Sequence, residues 1–262
     1  MLQPILSPAT VRPRVAGNTP KERIAAFHSH FTKLFAPPPP PPPLPNVKLP
    51  HGLRFRTSAF SIKEYARAIS SLGNGKSPGI DGIPNEVLKL PEMRGPLLQC
   101  CNTLLSEGKL PSSLLTSLLI VLPKKGDLSQ ATNYRGIALM PTISKLFDRL
   151  LLYRLRKVLN PHLRTHQNGF RPNRSTQQHI MCLRILVDAA EGHQDYPLVG
   201  VFVDFSKAFD SISWSALRSI LNQWGVPTVL INAIFAVMEG HQIIVKTDNG
   251  LSDPFRVHAG VL

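Results

Sequence analysis

The chain is 262 residues long, 43% hydrophobic, and carries 30 Lys and Arg against 16 Asp and Glu, giving a formal charge of +14 and a pI near 10.2. That hydrophobic content excludes a wholly disordered protein and suffices for one cored domain, or one domain plus an extension. The basic excess calls for an anionic partner, nucleic acid ahead of an anionic membrane surface. Three cysteines, two of them the adjacent Cys100 and Cys101, give neither a disulfide framework nor metal-ligand spacing. They read as reduced, buried thiols of an intracellular protein. The longest apolar run, residues 114–122, is broken by Thr116 and Ser117 and is too short to cross a bilayer, so no membrane partner is expected. Residues 1–21 contain Arg and Lys but no acid, as a transit peptide would, yet no apolar signal core follows.

Taken in chain order, residues 1–59 form a leader. Within it, Ile24, Phe27, Phe31, Leu34 and Phe35 recur at helical spacing, so residues 21–35 are expected to pack on the body as an amphipathic helix. Seven consecutive prolines, residues 37–43, then Leu44 and Pro45, must run as extended polyproline II, since proline lacks the N–H that helix and sheet require. The segment 37–45 reads as a stiff spacer, or as a docking ligand for an SH3 or WW domain.

Ser61 and Glu64 form a capping box; Tyr65, Ala68, Ile69 and Leu72 make the apolar stripe of the helix it opens, and Gly73 closes it. The loop NGKSPGIDGIPNEVLK follows and leads into a short helix. Its GKS invites a phosphate-loop reading with VGVFVD as the magnesium element, but the required first glycine is Ser70 and a helix precedes the loop where a strand is needed. Residues 96–107 read as a helix closed by Gly108, and residues 118–122 as a strand feeding the basic turn PKKGD.

Residues 145–184 concentrate the charge: nine Lys or Arg against one acid, Asp148, a net of +8. Part lies on a helix over 143–159, with Ile143, Phe147, Leu150 and Leu151 inward and Lys145, Arg149 and Arg156 outward. Such a helix face is usually just solvated. The next loop, HQNGFRPNRST, is basic too, and together they are expected to line a phosphate-binding groove. In VFVDFSKAFDSI, residues 201–212, the apolar Val199, Val201, Phe202 and Val203 read as a short buried strand ending on Asp204. Trp214, Leu217 and Leu221 lie on a helix after it, and Asp210 just before its start suits the helix N-terminus. QIIVKTDNGLSDPFRVHAG reads as two strands around a turn at 248–250.

Four stretches carry a family resemblance. IVLPKKGDLSQATNYRGIALMPTISKLFDRLLLYRL, HQNGFRPNRST and VFVDFSKAFDSI, with SPGIDGIPNEVLK ahead of them, resemble successive blocks of non-LTR (LINE-type) retrotransposon reverse transcriptases, in the family's order, over residues 60–262. The resemblance implies an α+β right-hand polymerase, with helical fingers bearing a β-hairpin over residues 118–137 and a palm sheet holding Asp204. It makes Asp204 the first metal-binding aspartate, helped by the Phe205 carbonyl, and Phe209 the aromatic residue under the incoming sugar that favours dNTPs. Lys124, Lys125 and Arg135 fall where the fingers hold the triphosphate. Arg171 and Arg174 fall on the basic loop assigned to template backbone, where structural ion pairing is the competing role. Asp210 does not match a metal ligand.

Nucleotidyl transfer uses two divalent ions about 3.5–4 Å apart, which need more than one carboxylate. The family supplies the others from a tandem Asp-Asp, and this chain contains none. HAGVL resembles the run-in to the family's next block, so residues 60–262 are expected to be a partial domain, fingers and first part of the palm, truncated before the Asp-Asp hairpin and thumb. The implied Mg2+ site is then incomplete, the chain inactive alone, and the Asp204 strand an exposed edge prone to self-association. Its implied partners are RNA template, DNA primer and dNTPs; a retroelement origin suggests a nuclear or cytoplasmic setting. A non-catalytic, basic nucleic-acid-binding remnant is the alternative.

Overall fold

The computed structural model describes residues 15–17, 19–43, 50, 52–191 and 198–261. Most of the residues 1–21 weighed as a transit peptide, with Leu44, Pro45 and Leu262, lie outside that set. The chain forms two compact units: Met1–Arg154 with Lys207–Leu262, and Leu155–Ser206.

In the first unit a mixed sheet is built on β1 (Thr116–Pro123), which pairs antiparallel with β2 (Tyr134–Leu139) and parallel with β3 (Gln242–Thr247). The short strands β4 (Gly250–Leu251) and β5 (Phe255–Arg256) both pair antiparallel with β3. The single second strand expected after the 248–250 turn is thus split. Lys246 faces Leu251 but Gln242 faces Arg256, so the register slips by one residue across Ser252, Asp253 and Pro254. Proline has no N–H to give the ladder, and the Ser252 hydroxyl accepts from Val245 N–H at 3.0 Å.

Helix α1 (Pro20–Leu34) covers one face of this sheet. Thr19 and Glu22 form a capping box, a start signal already present in the sequence but not foreseen. Phe27, Phe31 and Phe35 pack with Leu119, Val121, Tyr134, Ile243, Val245, Phe255 and Val257 in one core. Phe27 meets the Tyr134 ring edge-on at 4.9 Å. Burying each phenylalanine contributes about 1.5–3 kcal/mol, which is why the leader helix docks. Beyond it, residues 37–43 are neither helix nor strand and largely exposed, as proline demands.

Helix α2 (Ile62–Ser70) has its capping box, and α4 (Arg94–Glu107) ends on Gly108 in the left-handed conformation at φ 60°. Between them is α3 (Asn85–Leu88). Helix α5 (Thr142–Leu159) buries Leu146, Phe147, Leu150 and Leu151, while Ile143, expected inside, is half-buried. Arg154 on α5, one of the nine basic residues of 145–184, is buried. Its guanidinium donates to the carbonyls of Arg56, Ser58 and Ala59 and to both Glu64 oxygens, and stacks over Phe60. Burial works to raise the Glu64 carboxyl, but the Arg154 hydrogen bond, the two from Ser61 and the Arg154 charge prevail and hold it at about 2. Helices α7 (Trp214–Gln223) and α8 (Thr228–Met238) pack together, and α8 also packs on α4.

The second unit contains the end of α5, the basic loop and α6 (Thr176–Glu191). The expected buried strand at Asp204 is absent: residues 198–205 carry no strand pairing, with Val201 82% and Phe202 86% exposed. The sheet holds β1 to β5 and excludes Asp204. An apolar β-prone run forms a strand only where a neighbour takes its N–H and C=O groups, and none of the described strands does so. The cysteines also differ from expectation: Cys101 is buried and its thiol pushed up to about 12 by burial and by Cys100, but Cys182 is exposed.

Candidate nucleotide site

The β1–β2 hairpin presents the first group of predicted residues. Its tip is held by Lys124 N–H to the Asn133 carbonyl at 2.7 Å and by Asn133 Nδ2 to the Asp127 carbonyl at 2.8 Å. The Ser129 hydroxyl and N–H both donate to the Asp127 carboxylate and keep it below the usual carboxylate range. Strand alternation turns Tyr134 inward and Arg135 outward, so Lys124, Lys125 and Arg135 are all exposed on one ordered hairpin.

Phe209 lies on a tight turn in the same unit. Ser211 N–H donates to the Lys207 carbonyl at 3.0 Å, and Lys207 itself sits at φ 51°. Segment 257–261 grips this turn: Gly260 N–H donates to the Ile212 carbonyl at 2.9 Å, Val261 N–H to the Phe209 carbonyl at 2.9 Å, and Trp214 Nε1 to the Gly260 carbonyl at 2.7 Å. A Cβ on Gly260 would come within 2.8 Å of the Asp210 oxygen, so only glycine admits the approach. Ser213, not Asp210, caps α7, its hydroxyl accepting from Ala216 N–H at 3.3 Å.

Electrostatics link the turn to the hairpin. Burial raises the Asp210 carboxyl, while the charges of Lys207 and Lys124 pull it back. The same two lysines act on His30 of α1, whose imidazole is lowered by burial first and then by Lys207 and Lys124. The charges of Lys124 on the hairpin and Lys207 on the turn thus act on both Asp210 and His30. Lys207 was visible between the two aspartates of the 201–212 stretch; nothing in the sequence pointed to His30.

The remaining predicted residues behave differently. Arg149 is exposed, but Lys145, expected to project outward, is half-buried; burial lowers its pKa and Asp81 raises it. In the second unit Arg171 donates to the Asn160 carbonyl at 3.0 Å and side chain at 3.1 Å, the Arg164 carbonyl at 2.7 Å and the Gln167 carbonyl at 3.3 Å. Arg174 donates to the Thr165 carbonyl at 3.1 Å and to Asn168 Oδ1 at 3.4 Å. These arginines fold the loop through carbonyls, where the competing expectation was ion pairs.

Asp204 and Phe205 are exposed in the same unit. Among the described residues no three His, Cys, Asp or Glu side chains gather so that they could hold a metal ion. A two-ion centre needs several carboxylates, and Asp204 alone does not fit that requirement. No described helix is long and apolar enough to cross a membrane.

Residues 122–253, half of the chain, match the family model described as reverse transcriptase (RNA-dependent DNA polymerase). The chain is 28% identical over 223 residues to a probable RNA-directed DNA polymerase from transposon BS of Drosophila melanogaster, covering 83% of this chain and 24% of that protein. It is 28% identical over 199 residues to a putative 115 kDa protein of the type-1 retrotransposable element R1DM of the same fly, covering 73% and 19%. A 149 kDa protein of transposon TX1 of Xenopus laevis is 25% identical over 207 residues, covering 77% and 15%. The chain thus spans a quarter or less of the length of these relatives. With an α+β body and relatives drawn from retrotransposons, the chain belongs to the reverse transcriptase family, in the branch carried by non-LTR elements.

Proposed function

We propose that this domain takes part in RNA-templated DNA synthesis by two-metal nucleotidyl transfer, and that its first unit is the part that receives the incoming dNTP. The observation that carries the reading is the presentation of Lys124, Lys125 and Arg135, all exposed, on the β1–β2 hairpin, because polyphosphate charge must be neutralised as the bond to the α-phosphorus forms. In this reading Lys124, Lys125 and Arg135 hold the triphosphate and Phe209 packs under the sugar. Arg149 and Arg174 contact nucleic-acid backbone, with Lys145 and Arg171 shaping the surfaces beside them. Asp204 and the Phe205 carbonyl are metal ligands of a centre that the 262-residue chain does not complete. The proline run 37–45 is a stiff spacer, with docking to an SH3- or WW-type groove as its second reading.

Primer extension on an RNA template with Mg2+ and dNTPs tests this, using the 262-residue chain and its Asp204→Ala variant. The expected outcome is no Asp204-dependent extension, alongside RNA binding that weakens steeply with salt. Extension that Asp204→Ala abolishes would show that a ligand outside this assignment completes the centre. RNA affinity unaffected by Asp204→Ala but reduced in Arg171→Ala with Arg174→Ala would favour the non-catalytic binding role.

A further inference from the structure

We propose that Trp214 is a positioning residue for the choice between deoxyribose and ribose: acting through Gly260 and Val261, its indole N–H clamps the turn that presents the Phe209 ring. The inference rests on the reading above that Phe209 packs under the sugar, and it adds what sets the place of that ring.

The turn is strained and held from outside. Lys207 is not glycine, yet it sits at φ 51°, a left-handed conformation that persists in other residues only where the surroundings impose it. Two positions on, the Phe209 ring is 53% exposed. Within the turn, Ser211 N–H donates to the Lys207 carbonyl at 3.0 Å. Two further bonds come from the other end of the unit. Val261 N–H donates to the Phe209 carbonyl and Gly260 N–H to the Ile212 carbonyl, both at 2.9 Å, so the backbone is tied on either side of Asp210.

Trp214 anchors the segment that makes these bonds. It opens α7, packs against the sheet core, and donates its indole N–H to the Gly260 carbonyl at 2.7 Å. Gly260 is buried, so without the indole its carbonyl must move to find another donor. That movement reaches Phe209 directly, because an added Cβ on Gly260 would lie 2.9 Å from the Phe209 carbonyl: the two backbones are in contact. A ring that tells one sugar hydroxyl from none has to be placed to within about 0.5 Å. The bland alternative is that Trp214 is only a core residue. Lost packing would weaken the fold and the binding of every nucleotide alike, whereas a displaced ring changes the ratio between deoxyribonucleotide and ribonucleotide.

The test is equilibrium dialysis of the 262-residue chain against dATP and against ATP, for the wild type, Trp214→Phe, Val261→Pro, Phe209→Ala and Trp224→Phe, each checked for folding by thermal melting. Trp214→Phe keeps a ring in the core and removes the N–H. Val261→Pro removes the N–H that the Phe209 carbonyl accepts and leaves the core untouched, so it serves even if Trp214→Phe does not fold. The wild type should prefer dATP. That preference should fall about threefold to tenfold in Trp214→Phe and in Val261→Pro, vanish in Phe209→Ala, and persist in Trp224→Phe, which changes the other tryptophan. A preference that survives both clamp variants and is lost in Phe209→Ala would refute the role of Trp214 while the Phe209 reading stands. A wild type that binds the two nucleotides equally, or binds neither, would overturn the Phe209 reading and the clamp with it.

Discussion

Arg154 and Glu64 meet in a two-pronged contact, Nε to Oε1 at 2.8 Å and Nη2 to Oε2 at 3.2 Å, with the Arg154 side chain only 3% exposed. The same guanidinium ties three carbonyls just before α2, so α5 and the entry to α2 are fastened by one residue. Arg154→Ala should cost about 3–5 kcal/mol in denaturant unfolding, because it strands Glu64 and three carbonyls at once. Arg154→Lys should recover little of this, since an ammonium cannot reproduce the fork. A loss below about 1 kcal/mol would mean the pair is as weak as a surface ion pair.

The pH dependence of stability combines two opposed groups. His241, buried with Nε2 2.8 Å from the Ser117 hydroxyl, is lowered to about 4 by burial, against a weaker upward pull from the Val237 backbone. Its contribution is full above its ordinary value of 6.5 and is lost as pH falls towards 4, by roughly 3 kcal/mol in all. Asp148 is raised to about 7 by burial, opposed by Arg149. Its contribution is full below its ordinary value of 3.8 and is lost as pH rises through 7. Unfolding of the wild type should therefore change little between pH 4 and 7. His241→Gln should unmask stability that falls with rising pH, and Asp148→Asn stability that rises. Parallel profiles for all three proteins would refute the assignment.

Gly260→Ala should release the Phe209 turn. The added methyl group meets the Asp210 backbone at 2.8 Å while φ is 83°, a conformation side chains rarely adopt. A loss of about 1–3 kcal/mol is expected. Trp214 fluorescence should shift with it, because the Gly260 carbonyl accepts the indole N–H. Faster hydrogen exchange at residues 207–213 without change in α4 would localise the effect.

Phe31→Ala should destabilise the first unit by about 3–5 kcal/mol, measured by thermal or denaturant melting, because the ring is 2% exposed within the sheet core. A neutral result would make the leader helix dispensable to the fold.

The exposed Val199, Val201, Phe202, Val203 and Phe205 predict self-association at micromolar concentration. Light scattering should show assemblies that shrink in Phe202→Lys. A monodisperse wild-type monomer would count against it.

Helices α1, α2 and α4 were legible because their signals are local: a cap, a stripe three and four residues apart, a terminating glycine. Of the β1–β2 hairpin, local pattern gave the first strand and its basic turn, and the second strand came only from the family resemblance. Arg154 was not, since the groups it holds come from 90 or more positions earlier and a sequence shows charge without showing burial. The segment before Asp204 was misread because strand propensity is conditional on a partner strand. His30 and His241 derive their character from neighbours on other elements, which no spacing rule records.

The parallel pairing of β1 with β3 has a consequence in time. Thr116 and its partner Gln242 are separated by more than a hundred positions, so a ribosome adding ~5–20 residues per second completes the second strand on the order of ten seconds after the first. Through that interval β1 has only β2 beside it, and the β3 part of the surface that α1 covers does not yet exist. Joining strands so distant in sequence is entropically slow even once both are made, so this sheet should be among the last features to close during folding.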